Sequence, residues 1–79
     1  MENNEIKERL EQIFREIFDD PELKISLETT AEDIEDWDSL THMQLILKIE
    51  KEFNIKFTIS EIKQASNVGE FIEIIKEKI

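Results

Sequence analysis

Apolar residues recur every three or four positions near the start of the chain, with charged residues between them. This spacing predicts an amphipathic helix from about Asn4 to Phe18, with Asn3 or Asn4 as its N-cap. We expect the segment ending at Pro21 to stop the helix, because proline lacks an amide proton and disfavours helix in the preceding residue. The predicted apolar face consists of Ile6, Leu10, Ile13, Phe14, Ile17 and Phe18.

The helical period weakens between Pro21 and Asp38, where the chain is predicted to form a long acidic connection. Connections of this length in small domains are usually functional or disordered. Spaced apolar residues favour an ordered loop here, and Thr30 with Asp33 three residues later predicts a short capped turn. The expected anchors of the loop on the helices are Leu23, Ile25, Leu27 and Ile34.

A second helix is predicted from Ser39 to Phe53, and it carries two apolar stripes. At about 100° per residue, one stripe suits the core, while the other lies beside Ser39. The second stripe is available to a partner or a cargo, unless it contacts the last helix or the acidic loop. The core stripe is Leu45, Ile46, Ile49 and Phe53, and the second stripe is Leu40, Met43 and Leu47.

Two further helices complete the pattern. Asn54 is expected to end the second helix, and a short helix is predicted over residues 60–64, with Ser60 as its cap. The last helix is predicted to open at Asn67, which forms a capping box with Glu70. Its apolar face is Val68, Ile72, Ile75 and Ile79, and Ile55, Phe57 and Ile59 bridge the second and third helices. We therefore expect an all-α four-helix bundle forming one domain over residues 1–79.

Charge narrows the range of partners. The 79 residues include 20 acidic and 10 Lys or Arg side chains, for a net charge of −10, and no cysteine. Residues 1–20 contribute −4 and residues 21–38 contribute −6, so all of the net charge lies before Ser39. Such a chain repels nucleic acids and anionic membranes. With no signal peptide or membrane-spanning run, we expect a cytoplasmic monomer.

Ser39 is the candidate for chemistry, because it lies where the acidic loop ends and an apolar helix begins. A serine in the first turn meets free backbone N–H groups and the positive end of the helix dipole, which favours a phosphate ester on its hydroxyl. Asp38 is expected to cap the helix. We find no general base, orienting group or Gly-x-Ser-x-Gly elbow, so no catalytic residue is predicted and the activating base belongs to another enzyme.

The segment from Trp37 to Phe57, WDSLTHMQLILKIEKEFNIKF, resembles the phosphopantetheine attachment region of acyl carrier proteins. The acidic loop before it and the Val-Gly-Glu opening of the last helix are similar to that family as well. The resemblance implies that a phosphopantetheinyl transferase joins 4′-phosphopantetheine from coenzyme A to Ser39, flanked by Asp38 and Leu40. The chain would then shuttle thioester-bound acyl groups between enzymes of fatty acid, polyketide or related biosynthesis, without being an enzyme itself.

The resemblance also implies a docking surface for partner enzymes. Leu40, Met43 and Leu47 are expected to contact them, and the loop acids are expected to attract basic docking surfaces. These acids are Glu32, Asp33, Glu35, Asp36 and Asp38. The second helix differs from the strongly acidic one typical of the main bacterial fatty acid pathway, since Glu50 and Glu52 are balanced by Lys48 and Lys51. This balance favours a specialised pathway, such as polyketide synthesis or lipid or polysaccharide modification.

Other interpretations remain open. An acidic helical adaptor would use the second stripe to bind a partner helix without any prosthetic group. An aminoacyl or peptidyl carrier would share the same attachment motif, whereas a small serine hydrolase lacks a base. His42, the single histidine, is expected to be structural, and Trp37 is expected to pack where the loop meets the second helix. No spacing of ligands predicts a metal site.

Overall fold

A computed structural model describes residues 2–79 and contains four helices. They are α1 (Asn3–Ile17), α2 (Ser39–Phe53), α3 (Ile59–Gln64) and α4 (Val68–Lys78). Helix α1 packs mainly against α2 and also against α4. This arrangement confirms the all-α prediction of three longer helices, one short helix and a long first connection.

Helix α1 has the predicted apolar face but different ends. Its N-cap is Glu2, whose side chain makes no capping hydrogen bond, so the predicted caps Asn3 and Asn4 are wrong and both lie inside the helix. At the other end, Asp19 adopts a left-handed conformation with φ 51°, and the N–H of Asp20 donates to the carbonyl of Arg15 at 3.0 Å. This C-terminal motif ends the helix before the chain reaches Pro21.

The acidic loop is held on α1 by two polar side chains. The carboxylate of Glu11 accepts the N–H of Ile25 at 3.0 Å and pairs with Arg15 at 3.1 Å. Arg15 Nε in turn donates to the carbonyl of Leu23 at 2.7 Å. We call this set the Glu11–Arg15 clamp. It supplies loop backbone groups with partners that neither a helix nor a sheet provides.

Three of the four predicted apolar anchors of the loop reach the core. Ile25 and Ile34 are buried, and Leu23 packs against the core while partly exposed. Leu27 is 52% exposed, so its prediction as an anchor is wrong. Its backbone fixes the loop instead, because the N–H of Gly69 in α4 donates to the Leu27 carbonyl at 3.0 Å.

That contact brings the loop very close to α4. A Cβ atom at Gly69 would lie 3.1 Å from the Leu27 carbonyl oxygen, so the glycine permits the approach. The N–H of Val68 also donates to the carbonyl of Thr29 at 3.1 Å. Beside this contact the predicted turn forms, since the Asp33 carboxylate accepts the N–H of Thr30 at 3.0 Å. The loop is therefore attached at both α1 and α4.

The connection from α2 to α3 shows one prediction confirmed and one corrected. Asn54 caps α2 in a left-handed conformation with φ 55°, as expected. Helix α3 begins at Ile59 with Thr58 as its N-cap, which forms a capping box with Glu61, so the predicted cap Ser60 is wrong. The carboxylate of Glu50 holds the connection by accepting the N–H of Phe57 at 2.8 Å.

Helix α4 opens at Asn67, whose side chain accepts the N–H of Glu70 at 2.8 Å. Only this half of the predicted capping box forms, because the Glu70 carboxylate accepts the hydroxyl of Ser66 instead. The hydrophobic core between the helices is centred on Phe14 of α1 and Phe71 of α4, which are both fully buried. Of the predicted apolar face of α4, Ile79 alone is half exposed.

Candidate functional site

Ser39 is the first residue of α2, and the junction before it is tightly hydrogen-bonded. The Asp38 carboxylate accepts the N–H groups of Leu40 and Thr41, each at 3.0 Å. The Thr41 hydroxyl accepts the N–H of Asp38 at 2.8 Å and lies 2.9 Å from the carbonyl oxygen of Asp36, to which it can donate. These reciprocal bonds form a capping box that fixes the start of the helix. Ser39 itself is exposed to solvent at this fixed position.

The capping box changes the electrostatics expected at Ser39. Of the first-turn N–H groups that the sequence suggested for a phosphate, those of Leu40 and Thr41 donate to Asp38. That of Ser39 has no acceptor among residues 2–79. The hydrogen bond from the Thr41 N–H is the largest influence on Asp38 and holds its pKa below the ordinary value of 3.8. Desolvation opposes this shift, and the Leu40 N–H reinforces it. Asp38 is therefore ionised at neutral pH.

Among residues 2–79, the side chains near the Ser39 hydroxyl are not arranged to activate it. Within the described part of the chain, no residue is hydrogen-bonded to the hydroxyl, and the low pKa of Asp38 makes it a weak base. His42, the next candidate, has both ring nitrogens engaged elsewhere. A serine nucleophile needs an adjacent base held by a third group. The site therefore presents a hydroxyl on which another protein can act, rather than a nucleophile.

His42 and Trp37 form the wall beside Ser39. The indole Nε1 of Trp37 donates to His42 Nδ1 at 3.1 Å, which leaves the proton of the neutral ring on Nε2. The Nε2–H group of His42 donates to the carbonyl oxygen of Ile62 in α3 at 3.0 Å. We call this chain of contacts the Trp37–His42–Ile62 brace. It confirms that His42 has a structural position and that Trp37, only 6% exposed, packs at the junction of loop and helix.

Two adjoining depressions run along this wall. The first, with a volume of about 430 Å³, is lined by Ser39 together with Asp38 and Met43, and the second, of about 330 Å³, extends to Lys63 and Ser66. Both share Ala31, Trp37 and His42. We call the two together the Ser39 groove. A flexible group attached to Ser39 would have this largely apolar groove beside it.

The second stripe of α2 lies outside the core. Leu40, Met43 and Leu47 are 69%, 42% and 61% exposed, which rules out the alternative that they pack mainly against α4 or the loop. We call these three residues the α2 outer face. The loop acids Glu32, Asp33, Glu35, Asp36 and Asp38 are also exposed.

The structure also shows residues that the sequence interpretation missed. Ile59, treated as a bridging residue, is 75% exposed at the start of α3. Thr41, a capping partner of Asp38, could have been identified from its position three residues later. The contact of His42 with the Ile62 carbonyl had no sequence signal, because the two residues are separated along the chain and a backbone carbonyl carries no residue identity.

The residues at Ser39 fit a group linked through phosphate. The hydroxyl is exposed, the neighbouring N–H of Ser39 is free among the described residues, and the positive end of the α2 dipole lies beside it. Comparison with known proteins supports the same kind of attached group. The family model described as "phosphopantetheine attachment site" matches residues 8–75.

The chain belongs to this family. Among solved structures, it is similar to the holo acyl carrier protein from Geobacter metallireducens, with 40% sequence identity and a TM-score of 0.85. The match covers 91% of this chain and 83% of that protein. The family consists of carriers, which are not enzymes, and their prosthetic group is 4′-phosphopantetheine. The expected family, fold and cofactor are thereby confirmed.

Two further findings bear on the chemistry available to this carrier. None of the helices described for residues 2–79 is long and apolar enough to cross a membrane. Within the same residues, no group of three or more potential His, Asp or Glu ligands is placed to hold a metal ion.

Proposed function

We propose that Ser39 carries the 4′-phosphopantetheine arm and that the protein, as one carrier domain over residues 1–79, moves acyl thioesters between enzymes. The observation that supports this most strongly is the exposed Ser39 hydroxyl at the capped start of α2, within the segment matched by the family model. When bound, the arm supplies a thiol that holds the acyl group. The chain's own residues present the hydroxyl, fix its position and offer surfaces for recognition.

The attachment step needs a phosphopantetheinyl transferase, because the base absent at Ser39 has to come from outside. In this step the Ser39 oxygen forms a bond to the phosphorus that carries the pantetheine. The bond from that phosphorus to the adenosine bisphosphate part of coenzyme A breaks, and the hydroxyl proton passes to the transferase. Asp38 contributes by holding the helix start rather than by taking the proton, as its lowered pKa indicates.

Intact-protein mass spectrometry tests the attachment. The protein is incubated with coenzyme A, Mg²⁺ and a broad-specificity phosphopantetheinyl transferase, with Ser39→Ala in parallel. We expect the parent to gain one phosphopantetheine and Ser39→Ala to gain none. A folded parent that gains nothing would contradict the proposal and favour the acidic adaptor, which uses the same α2 outer face without a prosthetic group.

Docking by the α2 outer face and the loop acids Glu35 and Asp36 is part of the same proposal. The three exposed apolar side chains lie within about two and a half turns of Ser39. Exposed apolar residues close to a reactive position are typical of contact surfaces. The acids add long-range attraction for basic partner surfaces, which speeds encounter in a salt-dependent way.

The rate of modification tests this docking surface. Leu40→Glu should lower kcat/KM of the transferase by about 10-fold, because it places a charge where an apolar contact forms. Gln12→Glu is the control, since it adds one negative charge at an exposed residue of α1 that lines neither depression of the Ser39 groove, and it should stay within about 2-fold of the parent. Equal rates for the two variants would show that Leu40 is not a contact.

We also propose that the carrier serves a specialised pathway, as a monomer in the cytoplasm. The two acidic side chains of α2 both make contacts within the molecule. Glu50 accepts the Phe57 N–H, and Glu52 pairs with Arg9 at 3.4 Å. Lys48 and Lys51 lie in the same helix and balance the two acids, so α2 carries no formal net charge. Partner enzymes that read a strongly acidic second helix should accept it poorly, which loading assays with a fatty acid pathway transacylase would measure.

A further inference from the structure

A wall of aromatic rings lines the Ser39 groove along its inner side. Trp37 lies stacked on His42, with ring centroids 6.1 Å apart and an angle of 19° between the ring planes. It also stacks on Phe71, at 6.2 Å and 26°. Phe14 meets it edge-on at 5.3 Å. Phe14 and Phe71 are fully buried and line neither depression of the groove, so the rings of Trp37 and His42 separate the groove from the centre of the core.

Hydrogen bonds hold this wall in place. The brace uses the indole N–H of Trp37, both ring nitrogens of His42 and the carbonyl of Ile62, so it joins the loop, α2 and α3. Opening a passage between α2 and α3 would require the His42 ring to move. That movement would leave a largely buried indole N–H and a backbone carbonyl without partners, which is unfavourable away from water.

The groove itself suits a group that stays at the surface. Its wall is largely apolar around Ala31, Trp37 and His42, but Lys63 and Ser66 at its far end are exposed and polar. A short acyl group can lie along the rings, and a polar or charged end can remain in water. A long apolar chain would find no route inward and would stay partly solvated, which is unfavourable in proportion to its exposed area.

We propose that the Trp37–His42–Ile62 brace sets the cargo specificity of this carrier by excluding the acyl chain from the core. The carrier then displays short or polar acyl groups on its surface and gains no stability from lengthening the chain. His42 is the specificity-determining residue, because it connects the indole to α3 through its two hydrogen bonds. This inference rests on the proposed attachment at Ser39.

A series of loaded proteins tests the inference. The transferase is supplied with acetyl-, butyryl-, hexanoyl-, octanoyl- and decanoyl-coenzyme A, each product is verified by intact mass, and its thermal midpoint is measured. A chain that entered the core would raise the midpoint by about 3–6 °C for each buried methylene. We expect the parent to remain within about 2 °C across the series, because the chain stays outside.

Variants of His42 test whether the brace is what excludes the acyl chain from the core. His42→Ala removes the ring and both hydrogen bonds, and its midpoint should rise with chain length by several degrees. His42→Val serves the same purpose if the alanine variant does not fold. Gln64→Ala, at an exposed position of α3 that lines neither depression, is the matched control and should behave as the parent does.

The outcomes separate this inference from the proposed function. If no mass is gained, the attachment at Ser39 fails before any midpoint is compared. If loading succeeds and the parent midpoint climbs with chain length, the exclusion of cargo is wrong. If the parent series is flat and a folded His42 variant is equally flat, the brace is not what excludes the chain, and the assignment to His42 is overturned.

Discussion

Asp38 shows how one carboxylate serves the site without taking part in proton transfer. It accepts two N–H groups of the first turn, and these hydrogen bonds favour its ionised form. The folded-state pKa is therefore below the value in the unfolded chain. For a carboxylate shifted in this direction, the stability contribution is present above the unfolded pKa and is lost as pH falls through the folded pKa.

Replacing Asp38 by alanine should therefore destabilise the protein in a pH-dependent way. At pH 7 we expect Asp38→Ala to lower the thermal midpoint by about 4–8 °C, because the helix loses its N-cap. The difference from the parent should shrink as pH falls below 3.8, the ordinary pKa, since the protonated carboxyl is a weaker acceptor. Thermal melts of both proteins between pH 7 and pH 3 measure this difference.

Ser39→Ala is the control for that titration, because it changes the neighbouring residue without touching the cap. Its midpoint should follow that of the parent throughout the pH range. A difference between parent and Asp38→Ala that stays constant down to pH 3 would show that the ionised carboxylate is not what stabilises the start of α2.

At the scale of elements, the acidic loop is held by polar contacts with α1 as well as by its own apolar residues. The Glu11–Arg15 clamp satisfies the N–H of Ile25 and the carbonyl of Leu23, and both charged side chains are partly buried. Burial makes these bonds worth more than those of an exposed ion pair. Together with the apolar anchors and the contacts to α4, these two residues, one turn apart in α1, help to order the loop and to position Trp37 beside Ser39.

Glu11→Ala should loosen the loop while leaving the helices formed. We expect a loss of about 1–2 kcal/mol in the free energy of unfolding, because a charge-assisted hydrogen bond to the Ile25 N–H disappears. Hydrogen exchange of the Ile25 amide should become at least about 10-fold faster. Exchange of the α2 amides should change only as much as the free energy of global unfolding does.

Gln12→Ala is the matched control, since Gln12 is exposed and adjacent in α1. It should change neither the stability nor the exchange at Ile25 appreciably. Unaltered exchange of the Ile25 amide in Glu11→Ala would mean that the apolar anchors alone hold the loop.

Elements whose boundaries depend on local chemistry were predictable from the sequence. Asp38 and Asn54 bound α2 as expected, because a cap acts on backbone groups within one turn. The cap of α3 was misplaced at Ser60, although the Thr58 to Glu61 spacing carries the signal of a capping box. The start of α1 differs as well, since the helix begins at Asn3 with Glu2 as an N-cap that makes no side-chain bond, although Asn3 and Asn4 are good capping residues.

The candidate site likewise contains features that could be predicted from the sequence and contacts that could not. Ser39, its cap and the exposed α2 outer face follow from motif and helical period, which are properties of neighbouring residues. The brace does not, because it joins Trp37 and His42 to a backbone carbonyl in another helix. Leu27 is a related case, since its side chain is half exposed and its backbone carbonyl, which carries no residue identity, makes the contact with Gly69.

For the whole molecule, the uneven distribution of charge is the dominant electrostatic feature. Residues 21–38 carry seven acids and one base, and none of the acids from Glu28 to Asp38 forms an ion pair within residues 2–79. The longest dimension of the protein is 28 Å. At 0.01 M salt the screening length is about 30 Å, so every acid repels every other, whereas at 0.1 M it is about 10 Å and repulsion is confined to neighbours.

Added salt should therefore stabilise the protein, by roughly 5 °C in the thermal midpoint between 0.01 M and 0.2 M NaCl, because screening relieves repulsion that is stronger in the folded state than in the extended chain. The double variant Glu35→Gln with Asp36→Asn should show a smaller rise, since it removes two of the crowded charges. Glu73→Gln with Glu77→Gln makes the same change in net charge on α4, where Lys76 and Lys78 lie nearby, and should retain the full response. Equal salt responses for the two double variants would show that the repulsion depends on net charge and not on the position of the acids. A parent midpoint that does not change with salt would show that repulsion among the loop acids does not destabilise the protein.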